Sequence, residues 1–302
     1  MANIEETYYL NVVKEIINNG YESADRTGVG TKFLVSQKFD YDISNGKIPI
    51  WTTRKVPWNN QVTELLWMIR GDTNIKYLKE HNVNIWDSWA DKDGYIGPTY
   101  GKQLRNWETI DKTTTVHLNN RTVYSQGNKV LNQMFFGTKS VDQFSNLING
   151  LKTNPESRRH IISLWNSGEF SDLKPPFLPS CHSNHIQLTV INGKYLHYQM
   201  IQRSADILLG FCSWQHALFA NIIGKLTGYE PKTMSIVITN CHVYNNQTTA
   251  VMELLERTPT EFPTLNVKKQ LQTIQNVEES EPEDYELIGY TPQKFIKIPI
   301  AI

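Results

Sequence analysis

Apolar residues recur at helical spacing over residues 6–19, with Leu10, Val12, Val13, Ile16 and Ile17 on one side, and the run stops at Asn19 and Gly20. That pattern predicts an amphipathic first helix with a glycine end signal. A second helix is predicted over about 59–70, where Val62, Leu65, Leu66 and Ile69 share a side and Glu64 sits inside an otherwise apolar stretch. A carboxylate among apolar positions requires a reason to be there. The later half alternates as strands do, over 160–165, 185–191 and 195–201, the last two joined through Asn192 and Gly193, a strong hairpin signal. This half is expected to carry the sheet. A long apolar helix follows over 211–227, ending at Thr227 and Gly228, and then a strand with buried character over 235–239. Residues 108–140 are rich in Thr and Asn and weakly periodic, and 276–284 is a short acidic run; both are expected as surface excursions. The mixture of helices and strands is an α/β (α+β) pattern, and one domain over 1–302 is expected.

Charge changes the picture by what it removes. Lys plus Arg equals Asp plus Glu at 30 each, so no global field recruits nucleic acid or a membrane surface, and an anionic ligand must be held by a local cluster. The three cysteines, Cys181, Cys212 and Cys241, are odd in number and lack CxxC spacing, which argues against a disulfide framework and against a structural metal site. No run of some 18 apolar residues is present and the amino terminus carries Glu5 and Glu6, so a cytoplasmic chain, neither secreted nor membrane-embedded, is expected.

Six segments could carry chemistry. Leu178-Pro-Ser-Cys-His182 puts a cysteine and a histidine on a turn before a strand, where a thiol can face a cleft; alone, the pair reads better as a small buried hydrophobe beside a satisfied loop residue. Gln202-Arg-Ser-Ala-Asp206 offers a cation, a hydroxyl and a carboxylate at a strand end, suited to an anion and an amide-bearing ring, or to local salt bridges. Asp25-Arg-Thr-Gly-Val-Gly-Thr31 is a glycine-bearing loop able to close over a phosphate through backbone amides and a guanidinium. Arg158 and Arg159 precede an apolar strand as a pair that fits phosphate or simply a solvated turn. Ile85, Trp86 and Trp89, followed by Gly97-Pro-Thr-Tyr-Gly101, form an aromatic cluster of the kind more often core than cofactor platform, and His242 and Tyr244 alternate onto one strand face, where the pair could bind a sugar hydroxyl but alone says little.

In this order and spacing the segments resemble the thymidylate synthase family, including its deoxypyrimidine-monophosphate hydroxymethylase relatives. The matches are DRTGVGT, TELLWMIRGDTNIKYL, NVNIWDSWAD, GPTYGKQ, ESRRHIISLWN, the cysteine-histidine turn, QRSAD, CHVY and the tail GYTPQKFIKIPIAI. The resemblance implies a large mixed sheet packed with helices and a homodimer through that sheet, each site borrowing Arg158 and Arg159 from the partner subunit. It implies Cys181 as the nucleophile adding to C6 of a pyrimidine nucleotide, which makes C5 electron-rich enough to capture the one-carbon unit of 5,10-methylenetetrahydrofolate. Phosphate would fall to Arg26, Arg203, Ser204, Arg158 and Arg159, whose cations would also draw Cys181 toward thiolate. Gln202, His242 and Tyr244 would complete the nucleotide site, with the last two on the ribose. Glu64 would organise water and proton transfer, and Tyr100 would assist loss of the C5 proton. Asp206 would meet the pterin, Ile85, Trp86, Trp89, Leu178 and Gly210 would wall the folate, and the tail to Ile302 would close over it. No metal is implied.

The departures from the family pattern cluster at one pocket. Where the family reads Gly-x-Pro-Phe-Asn, with the asparagine pairing to the uracil edge, this chain reads Gly210-Phe-Cys-Ser-Trp-Gln-His216. Counting from Gly210 puts Trp214 in the asparagine's place; counting back from Gly228 puts Cys212 there, the preferred alignment because Phe211 and the helix pattern then match. Neither side chain mimics an amide, leaving Gln215 or water as substitutes. Ser180 replaces a proline, Asn240 an aspartate and Gln247 a histidine. These changes favour a hydroxymethylase acting on deoxyuridylate or deoxycytidylate, in which water captures the exocyclic methylene, over an orthodox thymidylate synthase; retention of Trp86, Leu178 and the tail argues the other way. A binding module without catalysis, or a hydrolase built on Cys181 and His182, fits the combined residues less well, since adjacent strand side chains point apart.

Overall fold

The computed structural model describes residues 3–25, 27–117, 123–125, 129–131, 134–170, 183–209 and 211–301, with the backbone alone between 110 and 138. Along the chain lie α1 (Ile4–Asn19), β1 (Tyr21–Ser23), β2 (Thr31–Asp42), α2 (Trp58–Ile69), α3 (Lys76–Glu80), α4 (Tyr100–Arg105), β3 (Trp107–His117), β4 (Val123–Ser125), β5 (Lys129–Leu131) and β6 (Met134–Val141). Then come α5 (Gln143–Thr153), β7 (Ile161–Ser163), α6 (Ser167–Phe170), β8 (Ser183–Ile191), β9 (Tyr195–Asp206), α7 (Ser213–Thr227), β10 (Glu230–Tyr244), α8 (Thr248–Leu255), β11 (Thr264–Val267), α9 (Ile274–Glu278) and β12 (Tyr285–Ile288).

Helix α1 starts where Asn3 accepts a hydrogen bond from the Glu6 amide at 2.9 Å, and it buries Tyr9, Val12, Val13 and Ile16. It stops at Gly20, whose ψ of 149° is extended, and glycine suits that place because a Cβ there would lie 2.4 Å from the Ile16 carbonyl oxygen. The six-stranded sheet runs β1-β2-β10-β9-β8-β7. It is mixed, because β9 and β10 are parallel and the other pairs antiparallel, and α7 makes the crossover between the two parallel strands. The β8–β9 hairpin turns at Asn192 and Gly193, with φ of 54° and 64°, a left-handed pair closed by the Lys194 amide on the Ile191 carbonyl at 3.2 Å, and Lys194 is the third loop residue before Tyr195, the partner of Ile191.

The sheet is not confined to the later half, as the alternation had suggested: β2 pairs along most of its length with β10. Its pattern was hidden because Phe33, Leu34 and Val35 are consecutive and because Ser36, at φ 53°, interrupts the pleat. The 108–140 stretch forms two antiparallel pairs, β3 with β6 and β4 with β5, apart from the main sheet. The acidic run is tied down, not free: Arg70 donates to the carbonyls of Glu278 and Ser280, each at 2.8 Å, and Arg105 pairs with Glu278.

One face of the sheet is the core face, where Ile186, Leu188, Tyr198, Met200, Ile236 and Ile238 are buried under α1 and α7. Tyr9, Phe39, Trp51 and Phe211 interlock there with ring centroids 4.5–6.1 Å apart. By register, Ile161, Ile191 and Ile201 share the opposite face and remain exposed. Glu6, 1% exposed, accepts from the amides and hydroxyls of both Thr52 and Thr53 at 2.6–3.0 Å, so four donors compensate a carboxylate that burial would otherwise expel. This bond set fixes the turn that delivers Arg54. Among the described residues no helix is long and apolar enough to cross a membrane.

Candidate functional site

Glu64 has the reason its sequence context demanded. On α2 its carboxylate accepts at one oxygen from the Trp86 indole N–H and at the other from the Gln215 amide, both at 2.8 Å. Burial pushes its pKa up while these two donors pull it down. Trp86 in turn meets Trp89 and Tyr100 edge-on, with centroids 5.7 and 6.1 Å apart, so the structure brings Glu64, Trp86, Trp89 and Tyr100 together. Ile85 lies beside them, 42% exposed.

The first turn of α7 forms the next wall. Cys212 is its N-cap, and its thiol is pushed up to about 12 by burial and by the Glu64 carboxylate. It therefore faces any ligand as a neutral, weak donor. Trp214, the alternative occupant of the base-reading position, is 2% exposed, packs edge-on against Trp51 and donates its N–H to Gln61 at 2.8 Å. Gln215 donates to the Gln61 carbonyl at 3.1 Å as well as to Glu64, which engages its NH2 group within the protein.

Asp206 ends β9. Burial raises its pKa to about 6, opposed first by a hydrogen bond from Gln247 at 2.6 Å and then by the Leu208 amide at 3.0 Å, with Arg54 a further lowering charge. Arg54 stacks on Trp51 at 4.6 Å and donates to the Leu208 carbonyl, while its Nε has no partner among the described residues. Across the parallel pair, Asp206 lies opposite His242 and Ser204 opposite Asn240, so strand register gathers the QRSAD and CHVY segments at one end of the sheet. The His242 Nδ1 is 2.9 Å from the Asn240 amide oxygen and the ring meets Tyr244 at 5.2 Å. Burial lowers the His242 pKa, and a proton on Nδ1 shared with Asn240 leaves Nε2 as an acceptor for a hydroxyl. Gln202 is 3% exposed and donates to the Ser204 carbonyl at 3.1 Å, and Arg203 lies over Trp165 at 5.2 Å.

The loop after β1 corrects one expectation. The amides of Thr27, Gly28 and Gly30 all bond to Asp25, and that of Val29 to the Thr27 hydroxyl, so they are used within the loop and not offered to a phosphate. Arg26 itself lies outside the described residues, as do Leu178, Cys181, Gly210 and Ile302. Arg158 and Arg159 are exposed at the entry to β7, one edge of the sheet, whereas the Asp25 loop belongs to the other edge. Five strand spacings separate those edges, on the order of 20 Å.

Reasoning from sequence missed Arg54 as a buried cation and the partners of Glu64 and Asp206. Gln215 and Gln247 had been noticed only as replacements; a buried carboxylate's need for amide donors was the available signal. A pterin offers an exocyclic amine and ring N–H donors, and a desolvated carboxylate such as that of Asp206 suits such donors. A family model described as thymidylate synthase matches residues 7–302 of the chain.

Proposed function

The chain belongs to the thymidylate synthase family, and from that premise we propose that its methylenetetrahydrofolate-dependent one-carbon transfer to C5 of a pyrimidine nucleotide ends in a 5-hydroxymethyl product. The observation that carries this reading is the commitment of the Gln215 NH2 group to Glu64 and Gln61, beside a protonated Cys212 and an inward-turned Trp214. No paired amide from the start of α7 then orders the base. Discrimination of uracil from cytosine weakens, and water gains time to bond to the exocyclic methylene carbon.

In this reading Cys181 adds to C6, while Arg26, Arg203 and Ser204 hold the phosphate with Arg158 and Arg159 of the partner subunit. The ribose meets His242 Nε2 and Tyr244, and Tyr100 takes part in removing the C5 proton. Glu64, its pKa raised by burial, holds or gives a proton near the base, with Trp86 and Gln215 keeping both its oxygens in place. Asp206, Ile85, Trp86, Trp89, Leu178, Gly210 and the tail through Ile302 would hold the folate, which supplies the one-carbon unit when bound. The second reading, methylation to thymidylate, is favoured by the retained indole wall, since Trp86 is held firmly by Glu64. Incubation with methylenetetrahydrofolate and either deoxyuridylate or deoxycytidylate separates the two. A hydroxymethyl product mass without the dihydrofolate absorbance signal is expected; stoichiometric dihydrofolate with thymidylate alone would overturn it.

A homodimer through the sheet is supported by the exposed Ile161, Ile191 and Ile201 on one face, and by the placement of the arginine pair and the Asp25 loop at opposite sheet edges. Two inactive homodimers, Arg158→Ala and Arg26→Ala, should regain activity when their subunits are mixed, because one hybrid site then has all its arginines and the other lacks both. Mixed samples no more active than the sum of their parents would rule out the shared site.

A further inference from the structure

Gln247 is fully buried and satisfies three partners with one amide. Its oxygen accepts from the Tyr244 backbone N–H at 3.0 Å, and its nitrogen donates to the Asp206 carboxylate at 2.6 Å and to the Pro299 carbonyl at 3.1 Å. An amide has the two donor hydrogens and one acceptor oxygen that this set requires, whereas an imidazole offers one donor and one acceptor when neutral, or two donors and no acceptor when charged. The arrangement therefore suits a side-chain amide and not an imidazole.

Pro299 belongs to the tail that follows β12. That tail is pinned early, by the Gln293 amide on the Thr52 carbonyl at 2.8 Å and by Arg257 on the Lys294 carbonyl, and it buries Ile296 and Ile298. Beyond Lys294, the bond from Gln247 is the one hydrogen bond to the tail found among the described residues.

We propose that Gln247 is a positioning residue that latches the carboxyl-terminal tail to the Asp206 carboxylate, so that tail seating and the readiness of Asp206 for the folate are one event in the ligand-free enzyme. The inference rests on the assignment of Asp206 as the pterin-binding carboxylate given above. Asp206 is faced by Gln247 and the Leu208 amide, by Arg54 from the segment before α2, by Tyr9 of α1 and by Cys241 of β10. Gln247 is the largest favourable influence on its charged form, and the same NH2 group holds the tail.

The test is hydrogen exchange of the backbone amides of residues 295–301, Pro299 excepted, in the ligand-free enzyme, on wild type, Gln247→Leu and Gln247→Glu. Gln247→Leu should speed exchange roughly fivefold, the effect of one net hydrogen bond. Gln247→Glu keeps the size and the acceptor for Tyr244 but sets a second carboxyl against Asp206, whose value is about 6. Its tail should exchange about as fast as that of Gln247→Leu at about pH 5, where the one shared proton lies between the two carboxyls and none is left for the Pro299 carbonyl, and several-fold faster again at about pH 8, where both are ionised. A merely structural role gives no such pH dependence. Exchange within twofold of wild type in both variants would overturn the latch, and if Gln247→Leu fails to fold, the two pH values on Gln247→Glu decide alone. Folate KM is measured alongside. A loosened tail with unchanged KM would refute the role given to Asp206 and leave the latch standing, whereas raised KM with an undisturbed tail would refute the latch.

Discussion

Cys181→Ser is expected to abolish covalent trapping of a 5-fluoropyrimidine nucleotide and to lower turnover at least about 10³-fold while nucleotide affinity stays within a few-fold. The structure gives the reason that no other thiol would rescue it. Cys212, its thiol pushed up to about 12 by burial and by the Glu64 carboxylate, stays protonated at neutral pH. Cys241 is fully buried on β10, and burial raises it in the same direction. The phosphate and ribose contacts do not use the thiolate, which is why binding should survive. Intact-protein mass measurement after incubation with the fluorinated nucleotide and folate reads the adduct directly, and calorimetry reads the affinity. An adduct on the serine variant would remove Cys181 from the mechanism.

Glu64→Gln should lower kcat by about 10²–10⁴-fold, the range for loss of a positioned proton-transfer group, with little change in nucleotide affinity. Two effects act together. The amide cannot carry the proton, and its own NH2 must face either the Trp86 N–H or the Gln215 NH2, leaving two donors opposed where a carboxylate had accepted both. The pH profile carries a second signature. Burial raises the Glu64 pKa, so a step that needs the carboxylate fails as pH falls through that raised value, and the acid limb should vanish in the variant. A stopped-flow pH series on both enzymes checks this; an unaltered acid limb would assign it to another group, with Asp206 first in line.

The helices were legible because their patterns are local. Residues 10–17 and 62–69 each place a stripe at helical spacing, and the core accepted both as written. Asn192 and Gly193 announced their hairpin for the same reason, since a left-handed turn is a property of two residues. What escaped is long-range. β2 carries its partner information in β10, some 200 residues away, and one residue of positive φ erased its alternation. Glu64 announced that it needed donors without naming them, because Trp86 and Gln215 arrive from a distant loop and from α7. The DRTGVGT loop misled in the opposite sense: its glycines suggested open amides, but an aspartate at its head takes them first.

The bond set around Glu6 ties the freedom of one end of the chain to a turn 46 residues further on. A change at residue 6 leaves the amides of Thr52 and Thr53 and the Thr53 hydroxyl without their acceptor, and the Thr52 hydroxyl with only the Thr260 carbonyl at 3.5 Å, while either threonine altered alone leaves a buried carboxylate short of donors. The three positions are thus coupled energetically, and Arg54, directly after them, takes its place from that coupling.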